Sequence, residues 1–291
     1  MVACEIVHMP NSFSSILVPV DLSVNTELAI KKALELSEYG TTIHLLHIRS
    51  QSWFAKRIIE NFSGKDISDE SVEKKLEEWK QAIKDYNAGI NVCVWLEFAH
   101  SIQYAIERKA KQLSIDLIII GKSSRHSFFP FLNTTVPNVL ARRTCIPVLT
   151  VKPGSFHNKI RKVVVPISAE YANDKMETIA VIARKFRIKV YLVAIMDNRT
   201  EPIGLHASTL LRSYNWIKNI LNCPVNYEVI QGKNRAKSIL KYARKINADI
   251  LLLYPDTETR VGWFNAQISD VLPPSTKVEI FTLRPLRPLA Y

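Results

Sequence analysis

Short apolar runs alternate with longer amphipathic stretches along the whole chain. Residues 117–120 and 250–253 are continuously apolar, whereas residues 69–86 carry apolar side chains at alternating spacings of four and three. The first pattern is typical of a strand buried on both faces, and the second of a helix with one buried face. Strands that alternate with helices favour parallel pairing, because a parallel connection needs a crossover long enough to hold a helix. We therefore predict an α/β fold with doubly wound parallel sheets.

The alternation occurs twice. In the first half we predict strand 16–20, helix 26–39, strand 42–48, helix 69–86, strand 90–98, helix 101–113, strand 116–120, a short helix and strand 146–151. In the second half we predict strand 162–167, helix 172–186, strand 189–196, helix 205–221, strand 225–230, helix 233–246, strand 249–254, helix 265–272 and strand 277–282. The shared order indicates two copies of one domain.

Short motifs repeat in the same order. Residues 15–21 read SILVPVD and residues 161–168 read RKVVVPIS, so that each β-branched run ends in proline and a short polar residue. Further along, Asp116 and Asp249 each follow an amphipathic helix and precede an apolar strand. Because both aspartates recur at the same helix-to-strand turn, we predict that they are structural rather than catalytic.

The length of the chain suits two domains. Its 291 residues, of which 47% are hydrophobic, can bury two ordinary cores of roughly 140 residues each. We place the first domain at residues 1–152 and the second at residues 158–291, with Pro153-Gly154-Ser155 at the boundary. No apolar run approaches the ~20 residues of a membrane span, so we expect no membrane partner.

Cysteine usage and the first residues favour a cytoplasmic location. Residues 1–11 lack a basic region followed by an apolar stretch, which is the pattern of a signal peptide. The four cysteines are far apart and form no Cys-x-x-Cys pair, namely Cys4, Cys93, Cys145 and Cys223. We expect free, mostly buried thiols in a reducing compartment.

Charge is divided unevenly between the two domains. Residues 1–152 carry 18 basic and 16 acidic side chains, a net charge of +2, whereas residues 153–291 carry 21 and 11, a net charge of +10. A basic half can attract nucleic acid or an anionic surface through its long-range field. The basic residues of the predicted helix 233–246 lie largely opposite its apolar positions, as on an ordinary solvated face. We favour the solvated face and expect no nucleic-acid partner.

Four motifs of the first half follow one another in a recognisable order. Val18-Pro19-Val20-Asp21 ends the first strand and Leu45-Leu46-His47-Ile48 ends the second. Residues 116–121 carry the motif that ends the fourth strand, and Pro147 stands at the start of the last. This ordered set resembles the universal stress protein family over nearly the whole chain, in two tandem copies. The resemblance implies two adenine nucleotide alpha hydrolase-like domains and a role in stress response.

The resemblance also implies a nucleotide site in the first domain. In family members that bind ATP, the fourth strand opens a loop with three glycines and a final serine or threonine, which brings backbone N–H groups close to the phosphates. The implied nucleotide-binding residues here are Pro19, Asp21, Gly121, Lys122, Ser124, Thr134 and Thr135. Asp21 stands at the nucleoside position, Gly121 at the first glycine and Thr135 at the final hydroxyl. Because Ser124 and Thr134 replace the other two glycines, we expect at most weak binding of ATP or another adenine nucleotide.

The same positions are changed in the second domain. Ser168 replaces the aspartate, residues 254–257 (YPDT) replace the Gly-x-x-Gly segment, and Gln267 and Ile268 stand where glycine and serine or threonine would fall. Proline lacks an N–H group, and tyrosine fills the space that a phosphate needs. We therefore expect no nucleotide in this domain, which would serve as a pairing partner for the first.

Pairing of the two domains is implied as well. Family members commonly dimerise through antiparallel pairing of their last strands, and residues 146–151 and 277–282 are the last strands of the two copies. A second copy within one chain has a high effective concentration, typically on the order of mM for a short linker. We expect these strands to pair within the chain, while a homodimer and an unknown protein partner stay open.

The sequence favours a regulatory or binding module over an enzyme. A Ser-His-Asp order, a His-Glu-x-x-His motif, a Walker lysine and Cys/His ligand spacings are absent, so we predict no catalytic residue and no metal site. His44 and His47 are three residues apart on one strand and point to opposite faces, so they cannot share a metal ion. Two alternatives stay open: a nucleotide sensor or weak ATP hydrolase centred on Asp21, Gly121 and Thr135, and nucleic-acid or anionic-surface binding through the basic second half.

Overall fold

Strands and helices alternate through the computed structural model, which describes residues 12–50, 69–122, 137–168, 171–196, 203–255, 258–259 and 268–283. Within these ranges the strands are β1 Ser15–Val20, β2 Thr42–Ser50, β3 Asn91–Ala99, β4 Leu117–Gly121, β5 Val148–Val151, β6 Lys162–Ile167, β7 Lys189–Met196, β8 Val225–Gln231, β9 Ile250–Leu253 and β10 Glu279–Thr282. The helices are α1 Val24–Leu36, α2 Asp69–Tyr86, α3 Ile102–Gln112, α4 Pro137–Thr144, α5 Asn173–Lys185, α6 Ile203–Ile220, α7 Arg235–Ile246 and α8 Ile268–Val271, with a 3-10 turn at Pro153–Ser155.

The strands form one continuous sheet in the order β3-β2-β1-β4-β5-β10-β9-β6-β7-β8. Every neighbouring pair is parallel except β5 and β10, which pair antiparallel with Leu149 opposite Phe281. The predicted α/β fold with a mostly parallel sheet is therefore confirmed. The antiparallel pair joins the last strands of the two halves, which are the strands for which the sequence predicts pairing.

The two halves of the sheet have the same internal order. Reading outward from the antiparallel pair, the first half runs β5-β4-β1-β2-β3 and the second runs β10-β9-β6-β7-β8. One apolar core contains residues of both halves and lies on the face covered by α1, α2, α5 and α6. Two smaller cores cover the opposite face, one beneath α3 and α4 and the other beneath α7 and α8. The halves are therefore related by an approximate two-fold axis that passes through the sheet between β5 and β10.

Two aspartates fix the start of the first strand of each half. Asp116 accepts hydrogen bonds from the N–H groups of Ser14 and Ser15, at 2.8 and 3.1 Å. Asp249 accepts bonds from the two N–H groups at the start of β6, at 3.0 and 2.9 Å. Each carboxylate satisfies backbone donors where a strand begins, which confirms the structural role predicted for this pair.

A buried ion pair ties α1 of the first half to β10 of the second. The Lys32 Nζ lies 2.8 Å from Oε1 of Glu279 and 2.6 Å from Oε2 of Glu35. Burial raises the pKa of Glu279 to about 7. Burial also opposes the charge of Lys32, but the two carboxylates outweigh it and raise the pKa of the ammonium group. The pair therefore links the halves beside their antiparallel strands.

The structure corrects one expectation about the cysteines. Cys93 and Cys223 are free, as expected, whereas Cys145 forms a disulfide; Cys4 lies outside the described residues. Disulfides persist mainly in oxidising compartments, so cysteine usage no longer supports a cytoplasmic location. In the described part of the chain, no helix is long and apolar enough to cross a bilayer.

Candidate functional site

The described nucleotide-site candidates of the first half lie where β1 and β4 end. Pro19 is buried within β1, Asp21 follows that strand directly, and Gly121 ends β4. Because β1 and β4 are parallel neighbours, their carboxyl ends lie side by side, next to the N-terminus of α1. Open α/β sheets bind ligands at such an edge. This edge is therefore the candidate site.

Asp21 organises the first turn of α1. Its Oδ1 accepts hydrogen bonds from the Ser23 N–H at 3.1 Å, the Ser23 hydroxyl at 2.5 Å and the Thr26 hydroxyl at 2.8 Å. The Ser23 hydroxyl oxygen accepts a bond from the Asn25 N–H at 3.2 Å, so Ser23 caps the helix. Asp21 is partly exposed, and no bond reaches its Oδ2 from the residues that the structure describes. One carboxylate oxygen is thus structural, and the other accepts no hydrogen bond from the described residues.

Gly121 is needed for packing at this edge. A Cβ atom at this position would lie 1.9 Å from the backbone oxygen of Asn25 in α1, far inside the ~3.5 Å separation of non-bonded atoms. Helix α1 can therefore approach β4 so closely only because residue 121 is glycine. This requirement arises from the protein itself and holds with or without a phosphate ligand.

Lys122 follows β4 and is buried, with 6% of its surface exposed. Its N–H donates to the Val151 carbonyl at 2.9 Å, which extends the pairing of β4 with β5. The protein therefore encloses the residue that was expected to contact phosphate. Ser124, Thr134 and Thr135 lie outside the described residues, so their roles stay predictions.

Two histidines of β2 lie on opposite faces of the sheet. The His47 Nδ1–H donates to the Val20 carbonyl at 2.9 Å, next to the candidate site. On the other face, the indole N–H of Trp95 donates to Nδ1 of His44 at 3.1 Å, so the His44 Nε2–H points at the Ser15 hydroxyl, 3.2 Å away. Burial lowers the pKa of both imidazoles, which keeps them neutral. Among the described residues, no group of three or more His, Cys, Asp or Glu side chains could hold a metal ion.

The corresponding edge of the second half is filled by its own side chains. Lys175 of α5 is fully buried, and its Nζ donates to the Pro166 carbonyl at 2.8 Å. The same ammonium group donates to both carboxylate oxygens of Glu258, at 2.7 and 2.9 Å, and lies 4.1 Å from the ring centre of Tyr254. Tyr254 stands where the first half has Gly121. The space beside the strand ends is therefore occupied by an aromatic ring and a buried ion pair.

Asp174 completes this filled edge. Its Oδ1 accepts a hydrogen bond from the Tyr254 hydroxyl, while its Oδ2 has no hydrogen-bond partner among the described residues. Burial raises the pKa of Asp174 to about 6, against the opposing effects of the Tyr254 hydroxyl and the Lys175 charge. Ser168, which replaces the aspartate of the first half, is partly exposed. The arrangement supports the prediction that this half has lost its nucleotide site.

These buried charges are not among the residues predicted from the sequence, although the helix patterns carry a signal. Lys175 lies seven residues before the buried Ile182, on the apolar stripe of α5. In α1, Lys32 lies four residues before the buried Leu36. A lysine on an apolar stripe indicates a buried ammonium group, which needs a partner of opposite charge. The sequence does not identify that partner, because Glu258 is 83 residues away from Lys175.

Solved structures agree with this fold, whereas no curated protein sequence matches the chain. A universal stress protein from Archaeoglobus fulgidus DSM 4304 superposes with a TM-score of 0.63 at 17% identity, covering 95% of this chain and 98% of that chain. A functionally unknown protein from Pseudomonas aeruginosa PAO1 superposes with a TM-score of 0.56 at 15% identity, covering 94% of each chain. At such identities, the likeness shows the fold of the whole chain and nothing more.

The sequence match to a protein family lies in the first half. A universal stress protein in complex with cAMP covers 48% of this chain at 18% identity, with a TM-score of 0.35, which is too low to support an argument about ligands. The sequence model of the universal stress protein family matches residues 12–152. These residues contain β1 to β5 and the candidate site. Residues 12–152, slightly under half of the chain, therefore match the universal stress protein family.

Proposed function

We propose that the chain is a stress-response protein that acts as a regulatory or binding module rather than as an enzyme. Its first half would bind ATP or another adenine nucleotide weakly, at the edge where β1 and β4 end, and its second half would bind none. The match of residues 12–152 to the universal stress protein family supports the stress-response role. The module would act by binding a protein partner.

The contrast between two equivalent edges carries this proposal. In the first half, Oδ2 of Asp21 accepts no bond from the described residues, and residue 121 is glycine. In the second half, Lys175, Tyr254 and Glu258 fill the edge. Ribose hydroxyls could donate to the open carboxylate oxygen of the first half. Weak affinity is expected because the family's phosphate loop has lost two glycines here, so fewer backbone N–H groups can approach the phosphates.

The hydrolase alternative has less support from the side chains at this edge. Hydrolysis needs a base that can take a proton from water. The candidate bases at this edge are Nε2 of His47, whose Nδ1–H donates to the Val20 carbonyl, and Oδ2 of Asp21. The His47 ring is buried, and Asp21 is engaged in the helix cap through its other carboxylate oxygen, so we favour binding without turnover.

Isothermal titration of the full chain with ATP tests the proposal. We expect at most one ATP per chain, with a Kd in the high-micromolar range or weaker, which corresponds to about 5–7 kcal/mol or less. Asp21→Ala should abolish this binding. Ser23→Ala is the matched control, because it weakens the same helix cap and leaves the carboxylate in place.

The second half supplies the counter-test. Ser168→Asp should create no second site, because Tyr254 and Lys175 still fill that edge. Two ATP molecules per chain, or tight binding that Asp21→Ala leaves unchanged, would contradict the proposal. A complete absence of binding would remove the nucleotide from it and leave a module that acts through protein contacts alone.

A further inference from the structure

The carboxylate of Glu258 is held in the second half as a bound anion would be. The Lys175 Nζ donates to its Oε2 at 2.7 Å and to its Oε1 at 2.9 Å, and the Tyr254 N–H donates to Oε2 at 2.8 Å. The side chains of Lys175 and Glu258 are only 1% and 3% exposed. A cation and a backbone amide that converge on one group are the usual contacts of a carboxylate or phosphate ligand.

The groups that hold this carboxylate have other anchors of their own. The Lys175 ammonium also donates to the Pro166 carbonyl of β6 at 2.8 Å and lies against the Tyr254 ring. The Tyr254 N–H belongs to the residue that follows β9 directly. The binding groups are therefore positioned by β6, β9 and α5, whereas the anion comes from a residue beyond the last of these strands.

This anion lies at the edge that corresponds to the candidate site of the first half. Pro166 and Tyr254 occupy the places in the repeat that Pro19 and Gly121 occupy there. We propose that the second half retains an oxyanion-binding site, that Glu258 is its resident intramolecular ligand, and that a free carboxylate replaces it once the Glu258 side chain is removed. This inference concerns the second half alone, so its test does not depend on ATP binding by the first.

The single cation sets the preference of the site. The Glu258 carboxylate is held by one ammonium group and one backbone N–H. One ammonium group neutralises a monoanion, whereas a dianion would keep a net negative charge, which is costly where water is excluded. The site should therefore take a small monocarboxylate in preference to inorganic phosphate.

Chemical rescue of Glu258→Ala in the full chain tests the proposal. The substitution removes Cγ, Cδ and both oxygens, which acetate replaces atom for atom. Thermal unfolding is followed in sodium acetate and in sodium chloride at equal concentrations. With acetate about tenfold above its Kd, we expect the midpoint of the variant to rise by about 2–4 °C more than in chloride, and by less in phosphate. The wild-type protein, whose site is filled, should respond equally to acetate and chloride.

Two more variants make the result decisive. Glu258→Ala combined with Lys175→Met lacks the cation and should lose the specific response to acetate. Glu258→Gln keeps the side-chain volume, so the site stays filled and acetate should have no specific effect. If Glu258→Ala is unfolded in chloride, the same titration is read as the folded fraction that acetate recovers, by near-ultraviolet circular dichroism. No advantage of acetate over chloride in Glu258→Ala, or an equal advantage in the double variant, would overturn the proposal.

Discussion

The strand ends of β1 and β4 correspond to those of β6 and β9 in the order of the sheet, but they are completed in different ways. At the first edge, a helix cap forms around Asp21, and a glycine lets α1 pack against β4. At the second edge, an ammonium group, two carboxylates and a tyrosine are buried together. The comparison teaches that one backbone arrangement can be completed at its strand ends by a helix cap and a glycine or by buried charges, depending on a few side chains.

The largest effect is expected from removing the cation of the second edge. Lys175→Met leaves the Glu258 carboxylate buried without its counter-ion and should lower the free energy of unfolding by about 3–5 kcal/mol. Lys75→Met is the matched control, because Lys75 pairs with Glu78 at 3.2 Å on the surface, with both side chains 43–51% exposed. Its loss should stay below about 1 kcal/mol. Urea unfolding measures the loss of unfolding free energy in both variants. Equal losses would show that the buried Lys175–Glu258 pair contributes no more to stability than a surface pair.

The second-largest effect depends on pH and arises from Asp174 at the second edge. Burial raises the pKa of Asp174 from 3.8 to about 6. Because the folded-state pKa is the higher one, the stability that Asp174 contributes is fully present below the unfolded pKa and is lost as pH rises through about 6. Between about pH 4 and pH 7, the wild type should therefore lose up to about 3 kcal/mol relative to Asp174→Asn.

Urea unfolding at several pH values in this range measures that difference. The pKa of Glu279 is also raised, to about 7, and its titration contributes to both proteins, so the difference between the two curves isolates Asp174. Parallel curves for the wild type and Asp174→Asn would show that this carboxylate titrates normally.

A steric test applies to the first edge. Gly121→Ala places a Cβ atom 1.9 Å from the Asn25 backbone oxygen and should cost about 1–3 kcal/mol, because α1 must move away from β4. Gly40→Asn is the control: residue 40 has a φ of +84° but open space around it, and asparagine tolerates positive φ, so the cost should stay below about 1 kcal/mol. Thermal or urea unfolding ranks the two, and the reverse order would contradict the packing role of Gly121.

The smallest effect concerns the helices α3 and α7. In α3, Arg108 and Lys109 pair with Glu97, whereas Lys237 and Lys241 of α7 are exposed and make no ion pair with the described residues. We expect only weak, sequence-blind DNA binding that is lost by about 0.2 M salt. Lys237→Ala with Lys241→Ala should reduce the log–log salt slope by about two. Fluorescence anisotropy measures this, and nanomolar affinity at physiological salt would overturn our preference for a solvated face.

Most of the fold could be predicted because its signals are local. The apolar spacing of residues 69–86 predicts the extent of α2, and the apolar run at 250–253 predicts β9. Helix α1 differs from its predicted range of 26–39, because Ser23 caps it two residues earlier and the Ser37 hydroxyl bonds the Ala33 carbonyl where it ends. Such end effects depend on individual hydrogen bonds, which periodicity does not contain.

Less of the candidate site could be predicted. Strand-end motifs locate Asp21 and Gly121 at one edge, but the sequence does not reveal that both also shape the first turn of α1. The buried pairs Lys175–Glu258 and Lys32–Glu279 are harder still, because each joins residues far apart in the chain. Their lysines are visible on apolar helix stripes, whereas their partners depend on how the whole sheet is assembled.

The single antiparallel pairing between β5 and β10 determines on which side of the molecule the strands of each half end. All other neighbours in the sheet are parallel, so the strands of the first half run in one direction and those of the second half in the other. The carboxyl ends of β1 and β4 therefore face away from those of β6 and β9, on opposite sides of the molecule. The side of the sheet that holds the carboxyl ends of the first half therefore also holds the amino ends of the second half. A single molecule cannot contact both sets of carboxyl ends from one side of the sheet.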